Sequence, residues 1–145
     1  MPNPTTYDTD FYLWTQQQAA LLRQGQTMEL DMANLAEEIE DMGKNNRLAL
    51  ESALSNVIMH LLKWQYQPER RGTSWKLSIR NGRRQIEKRL KNSPSLKPHL
   101  PVIVQGEYPP ARENAADETG LPFSTFPDQC PFTVEQLLDV EYWPD

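Results

Sequence analysis

Apolar side chains recur every three or four positions through most of residues 10–92, which is the spacing of helices that bury one face. The pattern predicts four main helices, over about residues 8–25, 27–42, 46–65 and 74–91. The first helix is predicted to end near Gly25, Gly43 stands where a left-handed C-cap usually ends a helix, and Pro68 prevents the third helix from continuing. The one strand candidate, VIVQ at 102–105, is too short to predict a sheet. The expected fold class is therefore all-α, a bundle of four main helices.

Each of these helices has an apolar stripe that is predicted to face the core. The stripes are Phe11, Trp14, Leu21 and Leu22 in the first helix; Met32, Leu35, Ala36, Ile39 and Met42 in the second; Leu50, Leu54, Val57, Ile58, Leu61 and Leu62 in the third; and Trp75, Ile79, Ile86 and Leu90 in the fourth. Gly82 lies in the middle of the fourth helix, where glycine costs about 1 kcal/mol relative to alanine. A close helix crossing or a bend is expected at that residue.

The chain changes character after residue 92, because nine of the 12 prolines lie between Pro94 and Pro144. Since proline often opens a helix, two short helices are predicted to start at Pro98 and at Pro109. An extended segment with several aromatics, residues 120–132, should follow, and Thr133 begins a capping box for a last helical turn. The chain is interpreted as a single helical domain, 1–145, with a bundle core at 1–92 and a proline-punctuated wrap at 93–145.

The net charge of −5 conceals a strong segregation of charge along the chain. Residues 1–59 hold 3 basic and 9 acidic side chains, residues 60–99 hold 11 and 2, and residues 100–145 hold 1 and 9. A basic middle segment therefore lies between two acidic ones. It either pairs with them when the chain folds or presents a positive face to an acidic partner.

Composition narrows the compartment in which the protein is expected to work. Cys130 is the one cysteine in the sequence, so an internal disulfide is excluded and a reducing compartment is indicated. No apolar run approaches the roughly 20 residues of a membrane span. The first ten residues, MPNPTTYDTD, have neither a basic nor an apolar signal region. A cytoplasmic protein that does not enter the membrane is expected.

Several segments together resemble a known family. They are YDTDFYLW at 7–14, LLRQG at 21–25, NLAEEIEDMG at 34–43, HLLKW at 60–64, SWKLSI at 74–79 with Arg83 after it, and ETGLPFSTFPDQCPFTVEQLLD at 118–139. In this order they resemble the bacterial family catalogued as domain of unknown function 29, over nearly the whole chain. The resemblance implies a small, soluble, all-α protein. It implies no activity, because the name of the family records that none was assigned.

The most acidic stretch, LAEEIEDMG, does not predict a metal site with four carboxylates. On a helical wheel Glu37, Glu40 and Asp41 point away from the apolar stripe, and only Glu38 and the preceding Asp31 border it. The diverging residues predict a solvated or ion-paired face. Because no Glu-x-x-His pair is present, a di-iron bundle is not indicated either.

Two further residues are candidates for buried polar contacts. His60 lies on a second face of its helix, and a hydrogen bond to an acid such as Glu38 or Asp31 is expected. Arg83 flanks the apolar stripe of the fourth helix, so a buried or half-buried ion pair is expected there, with Glu38 as the candidate partner. No cofactor or metal site is predicted, and a metal-dependent enzyme would have to use His60, Glu38 and Asp31.

The sharpest functional feature is a basic helix face. Arg80, Arg84, Lys88 and Lys91 follow at intervals of four, four and three residues and form what we call the cationic face. Arg70, Arg71 and Lys63 precede it, close in sequence to Trp64 and Tyr66, a combination that can hold phosphates by charge and bases by stacking. The alternative is that the cationic face pairs with Glu37, Asp41 or the acidic tail, or is merely solvated.

Three hypotheses for function follow from these features. The preferred one is a protein-interaction, adaptor or regulatory module without catalysis, which binds a partner protein or forms a homo-oligomer. It rests on the amphipathic helices, on tail aromatics expected to be exposed (Phe123, Phe126, Phe132, Tyr142 and Trp143), and on the lack of a nucleophile elbow or a phosphate loop. The second is nucleic-acid binding, RNA or DNA, through the basic helix at 74–91. The third is a metal-dependent enzyme around His60.

Overall fold

A computed structural model describes residues 6–145, which form α-helices and short 3-10 turns and contain no strand. The α-helices are α1 (Thr6–Thr9), α2 (Phe11–Gln24), α3 (Met32–Tyr66), α4 (Thr73–Asn92), α5 (Leu100–Thr119) and α6 (Val134–Leu138). The 3-10 turns are Thr27–Glu29, Pro68–Arg70, Pro94–His99 and Phe123–Thr125. The all-α prediction is confirmed. None of the helices in residues 6–145 is long and apolar enough to cross a membrane.

The chain divides into two compact units, and the boundary lies inside α3, between Asn45 and Asn46. The first unit contains α1, α2 and the beginning of α3. The second contains the rest of α3 and everything that follows it.

In the first unit, α2 begins at Phe11, after its N-cap Asp10, and ends at Gly25, where the sequence predicted its end. The Asp10 side chain accepts a hydrogen bond from the backbone N–H of Leu13 at 3.1 Å, which satisfies one of the free amides at the start of the helix. Gly25 ends the helix in the left-handed conformation, with φ of 70°. Since a side chain is disfavoured at such a φ, glycine fixes where α2 stops.

The predicted break at Gly43 is wrong, because α3 runs without interruption from Met32 to Tyr66. The glycines with positive φ in residues 6–145 are Gly25 and Gly120, so Gly43 does not adopt the capping conformation. A glycine in a helix interior destabilises the helix by about 1 kcal/mol relative to alanine. The hydrogen-bonded turns before and after Gly43 keep the helix continuous despite this cost. No proline lies nearby to force an end.

The core of the second unit is built by residues that are distant in sequence. The apolar residues that are at most 1% exposed are Leu50, Leu54, Val57, Ile58, Leu61, Leu62, Ile79, Ile86, Leu100, Ala111, Ala115, Phe126 and Leu137. They include the whole predicted stripe of residues 50–62 and two members of the stripe in α4. Segments before and after residue 92 therefore share one core.

The two short helices predicted to start at Pro98 and Pro109 are wrong, since a single helix, α5, contains both Pro109 and Pro110. These prolines have no N–H to donate to the carbonyls of Gln105 and Gly106, four residues earlier. All four residues are exposed. Water can therefore solvate the two carbonyls, and the helix loses hydrogen bonds only on its solvent side.

The tail aromatics are not the exposed set that the sequence suggested. Phe126 and Phe132 are buried, Tyr142 and Trp143 are partly buried, and only Phe123 is exposed. All of them except Phe123 belong to the core of the second unit or pack against it, so the tail aromatics do not form one exposed aromatic surface. The predicted capping box is confirmed, because the Thr133 hydroxyl accepts from the N–H of Gln136 while the Gln136 side chain accepts from the N–H of Thr133.

Gly82 marks the expected close helix crossing. A Cβ atom added at Gly82 would lie 2.5 Å from Cγ2 of Val57, a fully buried side chain, and 3.6 Å from the carbonyl oxygen of Ala53. We expect Gly82→Ala to destabilise the protein by about 1–3 kcal/mol, because a short β-branched side chain in a full core cannot move aside freely. Urea denaturation followed by circular dichroism measures this change.

Gly106 in α5 is the matched control for this substitution. A Cβ added there meets nothing within 4 Å in the part of the chain that the structure describes. Gly106→Ala should therefore be neutral or stabilise the protein by up to about 1 kcal/mol through helix propensity. Equal effects of the two substitutions would contradict the close crossing.

Candidate functional site

The first unit contains an open groove with mostly apolar walls, between α2 and the beginning of α3. It has a volume of about 450 Å³. Its lining residues are Phe11, Trp14, Thr15, Gln18, Ala19, Leu22, Leu35, Glu38, Ile39 and Met42. We call it the apolar groove. Ile39 is 65% exposed and Met42 70%, although the sequence pattern placed both in the core.

A polar network centred on Asp31 holds α2 beside the start of α3. The Asp31 carboxylate accepts hydrogen bonds from Nε1 of Trp14 at 3.0 Å and from Nδ2 of Asn34 at 2.8 Å. The backbone N–H of Asp31 donates to Oε1 of Gln18 at 2.8 Å. The bond from Asn34, followed by that from Trp14, lowers the pKa of Asp31, so the carboxylate stays charged. Asp31 therefore positions one end of the apolar groove.

Three aromatic rings hold the N-terminal end of α2. The ring centroids of Tyr7 and Trp14 are 4.7 Å apart, and those of Phe11 and Trp14 are 5.7 Å apart. The Tyr7 hydroxyl donates a hydrogen bond to the Glu38 carboxylate, and this bond raises the pKa of Tyr7 to about 12. Tyr7 is thus a partner of Glu38 that sequence reasoning missed.

The other carboxylates of this stretch leave the first unit strongly acidic. Glu37, Glu40 and Asp41 are exposed, as the helical wheel predicted. Residues 1–45 hold eight acidic and two basic side chains, a net charge of −6. An apolar groove therefore lies on a negatively charged unit.

In the second unit, the cationic face is uncovered. Arg80, Arg84, Lys88 and Lys91 are all exposed. The salt bridges in residues 6–145 are Arg47–Glu51, Lys63–Glu118 and Arg112–Asp128, so none of the four cations of the face has a carboxylate within ion-pair distance.

The residues that precede the cationic face in sequence have separate roles. Lys63 is buried and donates to Glu118 at 3.0 Å. Arg71 is half-buried, and its Nε donates to the carbonyl oxygen of Trp64 at 2.7 Å. Arg70 is exposed. Of these three, only Arg70 is available to a ligand as the sequence hypothesis required.

Arg83 is buried and donates to backbone carbonyls, where an ion pair was expected. It is 2% exposed, and its Nε and Nη2 donate to the carbonyl oxygens of Leu137 and Gln136, both at 2.9 Å. These carbonyls lie at the C-terminal end of α6, where helix carbonyls have no partner inside the helix. Burial lowers the pKa of Arg83, and the charge of Asp139 opposes that shift. Arg83 thus caps α6 from another helix.

A pocket of about 380 Å³ lies beside Arg83, and we call it the cationic pocket. Its lining residues are Lys76, Arg80, Arg83, Arg84, Val140, Glu141 and Trp143. The Arg83 Cζ lies 5.7 Å from the centroid of the Trp143 ring. Within residues 6–145, Nη1 of Arg83 is buried and has no hydrogen-bond partner. The pocket combines four positive side chains with one carboxylate.

His60 is a buried residue whose partner is a backbone carbonyl. Its Nδ1 lies 2.8 Å from the carbonyl oxygen of Asn56, one turn earlier in α3, where an acid was expected. Because a carbonyl only accepts, Nδ1 carries the proton. Burial is the main cause that lowers the pKa of His60 and favours the neutral ring.

The metal hypothesis gains no support from the described residues. Nowhere in residues 6–145 do three or more His, Cys, Asp or Glu side chains come together to hold a metal ion. Asp31, Glu38 and His60, the candidate ligands, have the hydrogen-bond partners described above.

These features define an all-α protein with an apolar groove in one unit and a cationic pocket in the other. Residues 6–143 match the model of the family described as Domain of unknown function DUF29, and the chain belongs to that family. The resemblance seen in the sequence motifs is thereby confirmed. Comparisons with curated proteins and with solved structures find no match.

Proposed function

We propose that this protein is an interaction module without catalysis, which binds an amphipathic helix of a partner protein in the apolar groove. The observation that carries the proposal is the exposure of Leu22, Ile39 and Met42, which are 56%, 65% and 70% exposed along that groove. Amphipathic helices normally bury such a stripe, and large exposed apolar patches mark interaction sites. A helix with apolar residues three and four positions apart fits a groove between two helices.

The charge of the first unit indicates the chemistry of the partner helix. A net charge of −6 in residues 1–45 favours a partner with lysine and arginine beside its apolar stripe. In a symmetric dimer a second copy of this chain would bring another −6 to the same interface, so groove-to-groove self-association is disfavoured. Met42 supports the proposal, since a flexible thioether adapts to different apolar side chains.

A designed peptide tests this proposal on the full chain. The probe is a fluorescent amphipathic peptide of about 18 residues, with leucine on one face and lysine on the other. We expect saturable binding in an anisotropy titration, and we expect Ile39→Glu to weaken it more than about tenfold, because the glutamate would lose its hydration under the peptide. A peptide with glutamate in place of lysine should bind less tightly.

Val102 provides the matched control variant, since it is also 65% exposed in a helix but lies in the second unit. Val102→Glu should leave peptide affinity unchanged. Equal affinities of Ile39→Glu and Val102→Glu would refute the groove as the binding site. A dimer in light scattering that Ile39→Glu dissociates would show that a second copy occupies the groove, and would also refute the proposal.

A further inference from the structure

The cationic pocket and the cationic face lie on the same helix and continue one another. Lys76 and Arg80, which line the pocket, precede Arg84 by eight and four residues, and Lys88 and Lys91 follow it. At 1.5 Å per residue, the positions from Lys76 to Lys91 extend about 22 Å along the axis of α4. All five cations are exposed, and none takes part in a salt bridge within residues 6–145.

The second unit does not neutralise this charge locally. The pocket itself has four cations, Lys76, Arg80, Arg83 and Arg84, and a single carboxylate, Glu141. Residues 46–145 as a whole hold 13 basic and 12 acidic side chains. The positive charge on α4 is therefore a local concentration, which attracts a ligand with several negative charges.

Arg83 distinguishes the pocket from an ordinary solvated basic helix. Its guanidinium is fixed by two hydrogen bonds to α6, and the third nitrogen, Nη1, is buried with no partner in the described part of the chain. Buried nitrogens of this kind nearly always have an acceptor. A phosphate oxygen is a suitable acceptor, because arginine binds phosphate with strong charge-assisted hydrogen bonds. Binding costs Arg83 little conformational entropy, because two hydrogen bonds to α6 already fix its side chain, and the exposed neighbours of Nη1 need only move aside to admit the oxygen.

We propose that the cationic pocket and the cationic face form one binding site for single-stranded nucleic acid. The pocket takes one backbone phosphate against Arg83, Arg80 and Arg84, and Lys88 and Lys91 contact the phosphates that follow. A row of cations about 22 Å long fits a ligand with repeated charges better than a single phosphate group. A flexible single strand can turn one phosphate into a recessed pocket, and Trp143 gives the pocket an aromatic wall on which a base can stack.

The experiment measures binding of the full chain to a fluorescent oligo(U) of about 12 nucleotides, at several salt concentrations between about 50 and 200 mM. With three phosphates bound, one in the cationic pocket and one at each of Lys88 and Lys91, the logarithm of the association constant should fall with the logarithm of the salt concentration with a slope of about −2. The double variant Arg80→Ser/Arg84→Ser should bind at least about tenfold more weakly and should reduce the slope by about 0.7, because both residues contact the same phosphate. Both residues are exposed, so the fold should persist.

A second double variant, Arg23→Ser/Lys44→Ser, separates this site from an effect of net charge. It removes two exposed positive charges from the first unit and leaves α4 intact. Its affinity for oligo(U) should stay within about twofold of that of the natural protein.

Four results would overturn the proposal. They are an absence of binding at the lowest salt concentration, equal losses in the two double variants, binding of an RNA duplex as tightly as the single strand, and competition by inorganic phosphate at concentrations similar to those of the oligonucleotide. The last result would identify a site for small anions. None of these results bears on peptide binding in the apolar groove, which is a property of the first unit.

Discussion

Replacing Phe126 with alanine should reduce the free energy of unfolding by about 3–5 kcal/mol, which is the usual cost of removing a phenylalanine from a core. Phe126 is 1% exposed, and its ring packs edge-on against Tyr66 with centroids 5.4 Å apart. The substitution would leave a cavity that surrounding helices can fill only in part. Urea denaturation followed by circular dichroism at 222 nm measures the change.

Phe123, three residues earlier, is the control for this prediction. It is 50% exposed, and the Arg112 guanidinium contacts its ring, with Cζ 3.8 Å from the ring centroid. Phe123→Ala should cost no more than about 1 kcal/mol, the value of an exposed cation–π contact. If the two alanine variants lost similar stability, Phe126 would not be part of the core as the structure shows.

Arg83→Met should destabilise the protein by about 2–4 kcal/mol, because it leaves the carbonyl oxygens of Leu137 and Gln136 without their donors. It also removes the guanidinium beside the Trp143 ring. Arg83→Lys should recover only part of the loss, since an ammonium group lacks the fixed fork that reaches both carbonyls. The readouts are the denaturation midpoint and the fluorescence of the tryptophans.

Arg80→Met is the matched control. Arg80 lies on the same helix, α4, about one turn before Arg83, but its side chain is exposed. Its effect should stay within about 0.5 kcal/mol. A similarly small effect of Arg83→Met would show that the hydrogen bonds to α6 contribute nothing to stability. It would also weaken the view of Arg83 as a fixed anchor in the cationic pocket.

Most of the predictions that held depend on residues close together in sequence. The start of α2 needs only the Asp10 side chain and a free amide three residues later, and its end needs only the conformational freedom of Gly25. The capping box at Thr133 and Gln136 is similarly local. The wheel also separated Glu38 from its exposed acidic neighbours, because helix geometry alone decides which residues share a face.

Two local predictions failed, the helix break at Gly43 and the helix start at Pro109, because neither residue ends the helix that contains it. The other predictions that failed depended on neighbours from other segments. Ile39 and Met42 satisfy the same periodicity as Leu50 and Leu54, yet the first pair is exposed and the second is completely buried. Periodicity marks an apolar face but cannot say whether anything covers it. Leu35, Ile39 and Met42, which were expected to face the core, therefore form one wall of the apolar groove. The sequence did contain one signal, the three methionines Met28, Met32 and Met42 within 15 residues, because methionine is common at adaptable binding surfaces.

The contacts of the polar residues also depended on distant segments that the sequence could not identify. The sequence identified Arg83 as unusual because it flanks an apolar stripe, but its acceptors are carbonyls more than fifty residues away. A backbone carbonyl has no signature in sequence, since every residue has one, so only the fold could reveal the cap on α6. Tyr7 could not be assigned to Glu38 for a related reason, because 31 residues separate them.

By itself, then, the sequence determined the all-α class, the end of α2, the start of α6, the family motifs and the concentration of positive charge on α4. Each of these follows from spacing, capping or composition, which act over one or two turns of helix. The tertiary structure alone decided that Phe126 is buried while Phe123 is not, and that the stripe at 32–42 stays open to solvent. It also decided that Arg83 is fixed beside a cationic pocket. Burial depends on which distant segments meet, and that is a property of the whole packed chain.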